Sequence, residues 1–130
     1  MTEPIITLAF GFTSVGLAVS WLAWRAISLD VTSPDRLVIE LRLAQITALL
    51  LVLAAGVYVG AAVTEGSSTG AGLDIALAIG FFIIAALAIT WEPSSALTTL
   101  AAAWCAHGLV DLGHVAAILP STLLPTWYPT

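Results

Sequence analysis

AQITALLLVLAAGVYVGAAV, Ala44 to Val63, runs for twenty residues without a charged side chain. A helix rises about 1.5 Å per residue, so about twenty apolar residues cross the hydrocarbon core of a bilayer. With its approach from Leu41, the stretch predicts a membrane-spanning helix over about 41–63. Three further apolar stretches qualify, over about 5–27, 73–91 and 96–119. The breaks between them read SLDVTSPDR, TEGSSTGAG and EPSS, rich in the Gly, Pro, Ser and acidic residues of loops. EPSS is so short that the third and fourth helices are expected to be antiparallel neighbours. Ser94 and Ser95 read as the N-terminal cap of the fourth helix. The expected fold is all-α: residues 1–130 as a single polytopic membrane domain, a bundle of four transmembrane helices.

Composition points the same way. The chain is 60% hydrophobic and 8% charged, against about a quarter charged in a soluble domain. Its partners are therefore membrane lipids first. Three basic residues make no patch for nucleic acid. The single cysteine, Cys105, excludes an intramolecular disulfide and a CxxC redox motif. The chain opens MTEP, without the basic stretch of a cleavable signal, so the first helix is expected to remain.

Arg25, Arg36 and Arg42 all flank the first loop. The positive-inside rule places that loop in the cytoplasm and both termini outside a multi-pass cell membrane protein. Trp21, Trp24 and Trp91 then fall at the inner interface and Trp127 and Tyr128 at the outer one, as an aromatic belt. Arg36 and Glu40 have the spacing of a helical ion pair. GVYVG, Gly56 to Gly60, has the small-residue spacing that lets helices approach, within the bundle or in a homo-oligomer.

Against this apolar background one stretch stands apart: WCAHGLVDLGHV, Trp104 to Val115. It holds both histidines of the chain, with Asp111 between them. The spacing H-x3-D-x2-H puts His107, Asp111 and His114 on one helical stripe, which Leu100, Trp104 and Ile118 continue. Cys105 points elsewhere. A carboxylate near mid-membrane costs about 2.5–3.5 kcal/mol on insertion scales, so it is expected to face the interior and to have a partner. Depth suggests Tyr58 on the second helix and Thr13 and Ser14 on the first. At these levels the third helix offers apolar side chains, including Phe81 and Phe82. A polar pocket between helices one, two and four is expected, with Glu65 and Asp74 at its mouth.

Three chemistries fit the stripe. His107, Asp111 and His114 are ligand types for a divalent metal such as zinc, copper or iron. Three ligands spread over about 10 Å of helix axis, however, so two ligands completed by another helix or protomer is the easier geometry. Alternatively the groups form a metal-free polar or proton-relay network, the carboxylate fixing a histidine tautomer. Thirdly, Ala103 and His107 form an A-x3-H pattern that admits a haem or chlorophyll. No GxSxG nucleophile elbow is present.

The stretch WCAHGLVDLGHV with the following PTWYPT resembles small bacterial and archaeal integral membrane proteins that carry an H-x3-D-x2-H helix and then P-x-W-Y-P. The likeness covers Trp104 to Pro129 and implies a membrane protein without a defined activity. Val115 stands where that group often has a further histidine. A fainter likeness links the helix to membrane-embedded carotenoid-cleaving dioxygenases, which hold iron with helix histidines. With two histidines here, such an iron site implies ligands from another subunit. The functional expectation is a small membrane protein with a His/Asp metal-binding or polar site, its catalytic status open. The other reading is a non-catalytic accessory subunit of a larger membrane complex.

Overall fold

A computed structural model describes residues 3–65, 71–116, 118 and 119 of the chain. Four α-helices follow one another: α1 Glu3–Ser28, α2 Pro34–Glu65, α3 Ala71–Ala88 and α4 Pro93–Val115. Three regions, Phe10–Ser28, Pro34–Val63 and Ala71–Ala88, are long and apolar enough to cross a membrane. α4 has the length, 23 residues, but its two histidines and Asp111 make it less apolar than the other three.

Three of the helices share one packing rule. The buried positions of α3 are Asp74, Ala78, Phe81, Ala85 and Ala88. Those of α2 include Ala44, Ala48, Leu51, Ala55 and Tyr58. Those of α4 are Ala96, Leu100, Ala103, His107 and His114. Alternating steps of four and three residues keep one stripe facing inward, as in a coiled coil. Alanine at most of these positions lets the backbones approach, which is how helices associate in lipid. α2 is the hub, packing against α1, α3 and α4, while α3 and α4 pack on each other.

α1 follows a different course. Among the described helices it touches α2 alone, and only 6% of the residues from Phe10 to Ser28 are buried. Phe10, Phe12, Leu17, Trp21 and Trp24 are exposed. Ala26 is its one buried hydrophobic among the described residues.

The turns show why the helices stop. Asp30 accepts bonds from the Thr32 backbone N–H at 2.8 Å and hydroxyl at 2.6 Å. These bonds, the hydroxyl's first, hold the Asp30 carboxyl below its usual value. Arg36 bonds Glu40 at 2.8 Å and the Leu29 carbonyl at 3.3 Å, so α2 begins at Pro34, before the fully apolar run. α4 likewise starts earlier than its sequence suggests. Its N-cap is Glu92 with Pro93 at the first position, not Ser94 or Ser95. Both serine hydroxyls instead donate to the Glu92 carboxylate, at 3.1 and 3.0 Å. At its other end α4 stops at Val115, short of Ile118. The Ile118 and Leu119 N–H groups turn back onto the Gly113 carbonyl at 3.0 and 3.1 Å, ending the helix just past His114.

Among the described residues, Gly56 and Gly60 make no close helix contact, although Tyr58 between them is buried in the bundle. A methyl group built on Gly56 or Gly60 meets no neighbouring helix within 4 Å. Trp21, Trp24 and Trp91 are all exposed. Trp127 and Tyr128 lie outside the described residues.

Two outcomes follow. Gly56→Ala should leave the melting temperature in detergent unchanged, or raise it by the helix preference of Ala over Gly, at most about 1 kcal/mol. A fall in melting temperature together with loss of a dimer would show a second chain packed there. For the first turn, a depressed carboxyl pKa stabilises the fold above the ordinary carboxylate value and loses that effect as pH falls through the folded value. Wild type and Asp30→Ala should therefore differ in melting at neutral pH and converge below the usual carboxylate value of 3.8.

Candidate functional site

The seam that buries alanine at one end of the bundle buries polar groups at the other. Tyr58 and Asp74 are each 1% exposed, and His107 and His114 each 3%. Tyr58 lies near the end of α2, Asp74 in the first turn of α3, and His114 in the last turn of α4. His107 lies about 10 Å deeper along α4 than His114. Asp111 flanks the seam, its side chain 26% exposed.

These groups divide into two carboxylate–imidazole pairs with Tyr58 between them. In the first pair, His107 Nε2 lies 3.8 Å from Asp111 Oδ2, one helical turn away. That separation is too long for a direct hydrogen bond. The Tyr58 hydroxyl donates to the other Asp111 oxygen, tying α2 to α4. In the second pair, His114 Nε2 lies 3.3 Å from Asp74 Oδ1, across the α3–α4 interface. The Tyr58 ring centre is 5.5 Å from that of His107 and 5.7 Å from that of His114.

Aromatic rings enclose the deeper histidine. Tyr58, Phe81 and Trp104 present ring centres 5.5, 5.1 and 5.8 Å from His107, all nearly perpendicular to it. A haem or chlorophyll on His107 would have to displace one of them. Trp104 Nε1 donates to the Thr47 carbonyl at 3.2 Å, a second polar tie between α4 and α2. Below it the seam is apolar, with Leu51, Leu100 and alanines.

The expected pocket is thus met in part. His107, Asp111 and Tyr58 come together, with Trp104 as a wall. His114 turns to Asp74 and does not share a position with the other two. Among the described residues, no group of three or more His, Cys, Asp or Glu side chains converges on one ion position. Among the described residues, Thr13 and Ser14 are exposed on α1, which makes no contact with α4, so they are not brought to His107 and Asp111. Ser14 donates back to the Phe10 carbonyl of its own helix at 2.8 Å. The polar cluster therefore lies between α2, α3 and α4, because those helices carry the small-residue seam. The side chain of Glu65 lies outside the described residues. Cys105 is exposed, away from the histidines.

Asp74 is the residue that the sequence reading misplaced, as a feature of the pocket mouth on a helix offering only apolar contacts. Its signal was available. Asp74 continues the spacing of Ala78, Phe81, Ala85 and Ala88, which places it on the inward stripe with them. Its carboxylate oxygens, His107 Nδ1 and both ring nitrogens of His114 are buried without a hydrogen-bond partner among the described residues.

No protein-family model, curated protein or solved structure matches this chain.

Removing the phenol oxygen leaves a carboxylate without its donor. Tyr58→Phe should lower stability by about 1–3 kcal/mol, and Asp111→Leu by a similar amount. Because the two groups bond each other, the double variant should lose clearly less than the sum. Strict additivity in thermal melting would show that the bond contributes nothing.

Proposed function

We propose that this chain is a multi-pass membrane protein in which α4 crosses beside the three more apolar helices. Its function resides in a buried acid–base site of His107, Asp111 and Tyr58. The observation that carries this reading is the Tyr58 hydroxyl bonded to Asp111, whose other oxygen faces His107. A phenol, a carboxylate and an imidazole in sequence can hold and redistribute a proton. Imidazole ordinarily titrates near neutrality, and a carboxylate beside it sets its tautomer and orientation. Ionisable groups inside transmembrane segments typically mark substrate paths or proton relays.

The arrangement favours a one-sided site over a conducting path. Asp111 is partly exposed, whereas His107 is sealed by three rings with an apolar seam below. Protons therefore enter and leave at the end of the bundle where α2 ends and α3 begins. With all three arginines at the opposite loop, that end faces outward and both termini lie outside.

A second reading, a non-catalytic accessory subunit of a larger membrane complex, has α1 in its favour. Among the described helices α1 leans on α2 alone, and it offers a nearly continuous apolar surface. Lipid covers such a surface equally well, so the acid–base reading is preferred.

The chain's two histidines make the test direct. Nitrogen NMR of imidazole-labelled protein should give two pairs of ring signals, one pair per histidine, and the His107 pair should change tautomer or titration in Asp111→Asn. If neither pair responds to that substitution, the acid–base site does not exist. Orientation has its own test, in a Cys105→Ala background. Ser67→Cys should react with an impermeant thiol reagent added outside intact cells. Reaction only after the cells are broken would reverse the topology.

A further inference from the structure

The geometry points to a divalent-cation site between Asp74 and His114, separate from the acid–base unit on the other side of Tyr58. Both side chains are 1% exposed and come from different helices. Four of the five buried, unpartnered side-chain atoms among the described residues belong to this pair. A buried carboxylate and a buried imidazole without hydrogen bonds are each costly, and a neighbour that only approaches does not remove that cost. The pair therefore lacks something that bonds to both.

The distance identifies what fits. A charge-assisted N–H···O bond is about 2.7–2.9 Å long. His114 Nε2 and Asp74 Oδ1 are 3.3 Å apart, and neither has a hydrogen-bond partner among the described residues. Two ligands on a tetrahedral zinc ion, each at about 2.0–2.1 Å, stand about 3.3–3.4 Å from each other. The pair is thus spaced as the edge of a metal tetrahedron.

Chemistry and field agree with this spacing. Imidazole nitrogen with carboxylate oxygen selects zinc, copper or nickel over magnesium and calcium. His114 sits in the last turn of α4, where the helix dipole favours a cation, and the Asp74 carboxylate supplies a formal negative charge. Two protein ligands leave two positions, which water entering with the ion would fill. An ion here would join the outer ends of α3 and α4, 40 residues apart in the sequence.

The test uses the full chain purified without a histidine tag, stripped with chelator and then exposed to zinc or magnesium. Bound metal and melting temperature are read together. Wild type should bind one zinc ion per chain and melt several degrees higher with zinc, and should not respond to magnesium. Asp74→Asn and His114→Ala should each weaken zinc binding by more than about 100-fold, since even outer-shell changes cost 10–100-fold. Asp74→His, which restores a ligand pair, should bind zinc again. Tyr58→Phe and His107→Ala should bind zinc as wild type does, so the result stands apart from the fate of the acid–base site. Three results overturn the proposal: no zinc on wild type, zinc retained by both Asp74→Asn and His114→Ala, or zinc lost from His107→Ala but not from His114→Ala.

Discussion

Close approach of three helix backbones is the constraint on which the rest of the structure depends. α2, α3 and α4 each present an inward stripe stepping by four and three residues, alanine being its commonest residue. Lipid tails are as apolar as leucine, so burying apolar surface between helices gains little in a bilayer. Small residues compensate by allowing extensive van der Waals contact. α1 buries no such stripe among the described residues and, of the described helices, rests on α2 alone.

The same constraint makes the site. Once the stripe is committed to the interior, whatever occupies its next position is buried too. Tyr58, Asp74, His107 and His114 occupy such positions and cannot turn to water. Each must find its partner inside the bundle, and partners from different helices then contribute to association. Interhelical polar contacts in membranes are worth about 1 kcal/mol each. The polar end of the seam therefore supports the fold as well as any chemistry.

Tyr58 divides this polar end in two. Its hydroxyl is committed to Asp111, and its ring stands between the imidazoles. One carboxylate–imidazole pair lies within α4 and is partly open through Asp111. The other spans α3 and α4 and is closed. Two pairs of the same chemical composition thus have different surroundings, which suits them to different tasks.

The sequence by itself determined the helices, their apolar character and the shared stripe of His107, Asp111 and His114, because these depend on local periodicity and composition. It also placed Tyr58 near that stripe, since distance from a helix end translates into depth. It did not determine which helix completes the site. Thr13 and Ser14 matched in depth, but depth carries no information on azimuth or on which helices are neighbours. Asp74 carried the seam spacing of α3, yet its position at a helix start made it look like a solvated end. The short EPSS break already made α3 a neighbour of α4, but only tertiary packing decided that, among the described residues, α1 stays clear of α4, because pairing is set by how the small-residue seams fit together. That choice buried Asp74, turned His114 away from the other two groups and made two sites out of one stripe.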